Sequence, residues 1–184
     1  MKRVLVPLAP GFEEVEALTV VDYLRRAGAH VVTASVGAAN PITGKQRIRV
    51  MADIDLPEAL DEWGDDFAAV VLPGGPGVEK LAESELVVGL VRERLAKGAL
   101  TAAICAAPLV LAKAGLDRNT RITSWPGVRE HLSDFANYSE DLVVRDGEVI
   151  TSRGPGTSVK FALALIEALF GAEKAAEIAA DTVS

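Results

Sequence analysis

Leu100-Thr101-Ala102-Ala103-Ile104-Cys105-Ala106-Ala107-Pro108-Leu109 reads as a buried strand, one residue of turn and the start of a helix. An uncharged run of five suits a strand covered on both faces. Proline is tolerated in a helix's first turn, where its missing N–H is not needed. The small neighbours Ala103, Ala106 and Ala107 let the chain reverse tightly, and Gly115 stops the helix that runs from Ala106 to Ala114. This unit, repeated with variations, decides the fold.

Upstream, Val4 to Leu8 is a buried strand followed by a helix from Glu13 to Ala27, with Val15, Leu18, Val21 and Leu24 as its apolar face and Gly28 as its stop. His30 to Ser35 is the next strand. Pro41 to Asp55 alternates weakly around Gly44 and predicts a hairpin. Ala68 to Leu72 is a third buried run, ended by Pro73-Gly74-Gly75, with a helix over Ser84 to Ala96 beyond it. Downstream, Arg121 to Thr123 predicts a short strand. Leu142 to Val144 and Val149 to Ser152 flank Asp146-Gly147, a two-residue hairpin signal. Helices over Thr157 to Phe170 and Glu173 to Ala180 close the chain. The expectation is one α/β domain spanning 1–184, doubly wound, with a mostly parallel sheet between helices.

The 184 residues are 49% hydrophobic, enough for a full core without disulfides. A net charge of -7, from 19 basic and 26 acidic residues, opposes a broad basic surface for nucleic acid or anionic membrane. A single cysteine excludes an internal disulfide and a Cys-rich zinc site. The N-terminal apolar run is too short for a signal peptide core, and no stretch approaches the roughly 20 apolar residues of a membrane span. A cytoplasmic protein is expected.

Ligands of such sheets bind beyond the carboxyl ends of the strands. Three loops lie there: Pro10 to Glu13, Pro73 to Gly77, and the turn at Cys105. At that turn Cys105 projects from the sheet edge, as hydrolase nucleophiles do. A helix N-terminus beside it favours the thiolate, so a pKa of roughly 4 to 7 is expected. The alternative is an inert small hydrophobe. Gly74-Gly75 can offer backbone N–H groups to an oxyanion, or form a simple turn. Of Glu13, Glu14 and Glu16, the first and last share a face, and one is expected to turn inward. His30 and His131 lie far apart and suit neither a base for Cys105 nor a metal site.

Four motifs resemble the ThiJ/PfpI superfamily, and within it the Parkinson-disease-protein deglycase branch. They are Leu8 to Glu16, Val71 to Gly75, Ala102 to Pro108, and Thr151-Ser152-Arg153-Gly154-Pro155-Gly156-Thr157. The resemblance implies a flavodoxin-like fold and a homodimer. It implies Cys105 as nucleophile and oxidisable thiol, Glu16 as its carboxylic partner, and the amides of Gly75 and Ala106 as oxyanion donors. Gly74, Trp125 and Pro155 would line the pocket. Trp125 stands where many members carry histidine, which opposes histidine-assisted proton transfer and predicts a drier pocket. The activities implied are deglycation or glyoxalase conversion of glyoxal- and methylglyoxal-derived groups, without cofactor or metal. The alternative is an oxidative-stress sensor with chaperone-like behaviour and little turnover. A peptidase would need a histidine near Cys105.

Overall fold

The computed structural model describes residues 1–37 and 40–184. In chain order these form β1 (Arg3–Leu8), α1 (Glu14–Arg26), β2 (His30–Ser35), β3 (Ile42–Thr43), β4 (Arg49–Val50), β5 (Ile54–Asp55), α2 (Leu56–Trp63) and β6 (Ala69–Leu72). Next come α3 (Val78–Glu83), α4 (Glu85–Ala96), β7 (Thr101–Ile104), α5 (Pro108–Ala114) and a 3-10 turn (Pro126–Leu132). The chain ends with β8 (Val143–Asp146), β9 (Val149–Ser152), a 3-10 turn (Pro155–Thr157), α6 (Ser158–Phe170) and α7 (Ala172–Asp181).

Seven strands form one sheet in the order β5-β2-β1-β6-β7-β9-β8. Every neighbouring pair is parallel except β8 with β9. The expected α/β, mostly parallel, doubly wound sheet is therefore present. Side chains alternate across it. Val4, Val6, Val71, Ala102 and Ile104 face the layer that holds α1, α6 and α7. Leu5, Val70, Leu72 and Ala103 face the layer that holds α2 to α5. Each Val, Leu or Ile buried on either face is worth roughly 1.5–3 kcal/mol, which is why the strands read as uninterrupted apolar runs. Pro7 cannot donate to a ladder, and it lies beyond the last β1–β6 pair, Leu5 with Val70.

The chain winds outward from β1 to β2 on one side and from β6 to β7 on the other. The crevice at that reversal is where such sheets place ligands. It brings together the loops after β1, β6 and β7.

Several local expectations need correction. The predicted 41–55 hairpin shrinks to β3 and β4, two residues each. Ile54 and Asp55 join the main sheet instead, beside Ala34 and Ser35 of β2. The buried face of α1 is Glu14, Glu16, Ala17, Val20, Val21 and Leu24. Val15 and Leu18, expected in the core, are 50% and 37% exposed, because strict three-residue steps drift off the face of a 3.6-residue helix. α5 begins at Pro108 rather than Ala106. The predicted strand at 121–123 is a single bridge, Ile122 to Tyr138. The β8–β9 turn is Gly147-Glu148, since Asp146 still pairs with Val149. Among the described residues no helix is long and apolar enough to cross a membrane.

Candidate active site

The loops after β1 and β6 are laced together through their backbones. Glu13 N–H donates to Gly74 O (2.9 Å), and Gly77 N–H donates to Gly11 O (3.0 Å). Gly75 sits at φ 86°, and a Cβ there would stand 2.6 Å from both Glu13 N and Gly11 O. Only glycine lets these strands of loop approach so closely.

Cys105 is the turn between β7 and α5, with φ 64°. The left-handed region costs a non-glycine residue on the order of 1–2 kcal/mol. Bonds from distant parts of the chain hold it there. Cys105 N–H donates to Ser152 O of β9 (3.0 Å), and Trp125 N–H donates to Cys105 O (2.8 Å). The thiol is thereby aimed off the sheet edge, where it meets the backbone N–H groups of Gly75 and Ala106.

Glu16, fully buried in the first turn of α1, reaches the same point. Its Oε2 accepts from Gly74 N–H (2.8 Å), its carboxyl lies beside the Cys105 thiol, and its Oε1 is buried without a partner. Gly74 is the spacer between the two groups. A Cβ on it would lie 2.5 Å from Cys105 Cβ and 2.5 Å from Glu16 Oε2. Gly74 was expected on the pocket wall, but it sits beneath, filled by these two neighbours.

Burial lifts the Glu16 carboxyl from its ordinary 4.5 to about 7, against the lowering effect of the Gly74 amide and the thiol. Burial, followed by the negative charge of Glu16, pushes the Cys105 thiol up to about 12, and the amides of Gly75 and Ala106 only partly offset this. The thiolate expected from the helix terminus is therefore overruled at the level of the single group. α5 is only seven residues long and starts three residues past the cysteine, so its dipole is weak there. The values belong to the pair. Above about pH 7, Cys105 and Glu16 hold one proton between them. Moving that proton from sulfur to carboxylate gives a thiolate.

All three acidic residues opening α1 are buried, not one. Glu14 Oε1 accepts from Gln46 N–H (2.8 Å) and Ile48 N–H (3.3 Å), fastening the β3–β4 turn against α1. Glu13 Oε2 lies 3.1 Å from Lys45 Nζ of the same turn.

A cleft of about 430 Å³ opens onto Cys105. Trp125, Leu109, Val128, Val78 and Pro155 make its walls largely apolar, and Glu13, Lys45 and Glu79 stand among its lining. Trp125 and Pro155 are both among the residues lining it. Neither histidine lines the cleft: His30 starts β2 and His131 is exposed on the 3-10 turn. Lys45 was not anticipated. It is brought in by the Gly11 N–H to Thr43 O bond (2.8 Å) across more than thirty residues, and no local pattern announces that contact.

The DJ-1/PfpI family model matches residues 2–168. Protein dj-1beta of Drosophila melanogaster is 43% identical over 180 residues, covering 97% of this chain and 95% of that protein. The glutathione-independent glyoxalase DJR-1.2 of Caenorhabditis elegans is 35% identical over 175 residues, covering 94% and 91%. The crystal structure of Drosophila melanogaster DJ-1beta superposes with a TM-score of 0.93 at 42% identity, covering 99% of this chain and 97% of that one.

Proposed function

Because this chain belongs to the DJ-1/PfpI family, we propose that it is a cofactor-free enzyme converting 2-oxoaldehydes to 2-hydroxy acids, with Cys105 as nucleophile and Glu16 as proton carrier. The observation that carries this reading is the fully buried Glu16 carboxyl set beside Cys105, its Oε2 held by Gly74 N–H at 2.8 Å and both groups 2.5 Å from the point where a Gly74 Cβ would stand. A relative named as a glyoxalase supports the choice of reaction.

Glu16 takes the thiol proton as Sγ bonds to the aldehyde carbon, and the amides of Gly75 and Ala106 hold the oxygen that gains charge. Glu16 returns the proton to that oxygen, giving a hemithioacetal. The carboxylate then removes hydrogen from the same carbon as a proton and delivers it to the neighbouring carbonyl carbon through an enediolate. The first carbon becomes a thioester and the second an alcohol, so oxidation and reduction balance within the substrate. Water cleaves the thioester and restores the thiol. With a glycated amine, Sγ bonds to the hemiaminal carbon as its C–N bond breaks, Glu16 passes the thiol proton to the departing amine, and the same hemithioacetal results, which is the deglycase form of the activity. A raised carboxyl near 7 suits a group that must both accept and give a proton at neutral pH.

The exposed side chains of Val15 and Leu18 on α1, with Ile48 and Met51 beside β4, support a homodimer formed through this face. A redox-sensing role has one specific support. Glu16 Oε1 is buried without a partner, and a sulfinate on Cys105 would bring it one.

Lactate production from methylglyoxal tests the enzyme reading, using catalase-treated protein with buffer-scavenging controls. Wild type should turn over, and Cys105→Ser and Glu16→Gln should each lose at least about 100-fold. A Cys105→Ser protein that keeps the rate would sink the proposal.

A further inference from the structure

The reaction sequence above gives the substrate two oxygens, and the site described so far serves one of them. In that sequence the aldehyde oxygen is held by the amides of Gly75 and Ala106, which stand beside the Cys105 sulfur. The second carbonyl oxygen collects negative charge in the enediolate and needs its own donor. Trp125, Leu109, Val128, Val78 and Pro155 present mostly hydrocarbon and ring faces to the cleft, and the carboxylates of Glu13 and Glu79 would repel that charge. The indole N–H of Trp125 is turned toward Gly127, where a Cβ would lie 2.5 Å from Nε1. One cation remains among the described residues lining the cleft, Lys45.

Lys45 is also well held. Its own N–H donates to Phe12 O (2.8 Å), and Gly11 N–H donates to Thr43 O (2.8 Å). Glu14 Oε1 ties the rest of the turn through Gln46 and Ile48. The ammonium, on a side chain 46% exposed, rests 3.1 Å from Glu13 Oε2, whose side chain is 7% exposed. An ammonium has three donors, so this contact leaves others to face the cleft.

We infer that Lys45 is the specificity residue of the Cys105 cleft, its ammonium receiving the second oxygen of a 2-oxoaldehyde while Glu13 anchors it. The inference rests on the 2-oxoaldehyde reading. It makes the substrate class narrower than reactive aldehydes in general: a second oxygen next to the aldehyde is required, because without it Lys45 has nothing to bind. Charge on that oxygen is greatest in the enediolate, so the contact acts more on turnover than on binding.

Two measurements on the purified protein test this. The first compares alkylation of Cys105 by iodoacetate, which carries a carboxylate, with alkylation by neutral iodoacetamide. It needs no turnover. Lys45→Met should lower the iodoacetate-to-iodoacetamide rate ratio by roughly fivefold, the scale of one part-exposed charge contact. Lys45→Arg should restore it, and Glu13→Gln should raise it above wild type. The second measurement is methylglyoxal turnover, where Lys45→Met should lower kcat more than it raises KM. An unchanged alkylation ratio in Lys45→Met overturns the inference, as does a lowered ratio with unchanged turnover. A ratio lowered in Lys45→Met, together with a wild-type protein that makes no lactate, would instead remove the 2-oxoaldehyde reading and leave only an anion-facing lysine.

Discussion

Replacing Glu16 with glutamine should stabilise the protein above neutral pH and leave its stability unchanged in acid. The folded protein raises this carboxyl from 4.5 to about 7, with burial as the largest cause. Below pH 4.5 both the folded and the unfolded chain keep the proton, so nothing is lost. Between 4.5 and 7 the unfolded chain releases it and the folded chain holds on, so stability falls as pH rises. Above pH 7 the whole cost is present. At about 1.4 kcal/mol per pH unit this comes to about 3 kcal/mol. Glutamine is neutral at every pH, and its oxygen can still accept from Gly74 N–H. The difference between variant and wild type should therefore grow from near zero at pH 4 to about 3 kcal/mol at pH 8.5. For a chain of this size that is a melting shift on the order of 10 °C. Urea unfolding of both proteins at the two pH values is the assay, since every other carboxylate cancels in the difference. A difference independent of pH, or a glutamine variant weaker at pH 8.5, would refute the reasoning that Glu16 is a desolvated acid held against its preference.

Two further outcomes follow from the same geometry. Iodoacetamide alkylation of Cys105 should accelerate as pH rises through about 7, where the pair loses its first proton, and Glu16→Gln should lose that limb; a rate that climbs only above pH 9 in wild type would contradict the shared proton. Gly74→Ala should cost about 1–3 kcal/mol by overpacking and remove turnover, because its methyl would enter the space between Cys105 and Glu16; chemical denaturation with the lactate assay reads both, and a fully active Gly74→Ala would mean that the two groups need not touch.

The strands of the sheet were legible because burial on both faces leaves uninterrupted apolar runs such as Val4 to Leu8 and Ala69 to Leu72. Cys105 was legible for a related reason: a strand, one residue and a proline-started helix leave little choice of geometry. What sequence could not supply was opposition between forces. The helix terminus predicts a thiolate, yet burial and the charge of Glu16 outweigh it. Val15 and Leu18 look like core and stand exposed, while Glu13, Glu14 and Glu16 look like surface and are buried. Their partners, the amides of Gly74, Gln46 and Ile48 and the ammonium of Lys45, lie some 30 to 60 positions away. α2 carries no clear apolar face in the sequence, because its charged residues outnumber its two buried ones, Leu56 and Ala59. α3, six residues after Gly77, is too short to show a period.

The clamp on residue 105 is indifferent to the atom it presents. Both bonds that force the left-handed turn, to Ser152 O and from Trp125 N–H, are made by the backbone of position 105 and not by its side chain. The turn therefore behaves as a socket: any compact side chain seated in it is pointed at the amides of Gly75 and Ala106. A lineage built on this scaffold could exchange sulfur for oxygen or carboxylate in a single substitution and keep its aim, changing the reaction while leaving the architecture around it untouched.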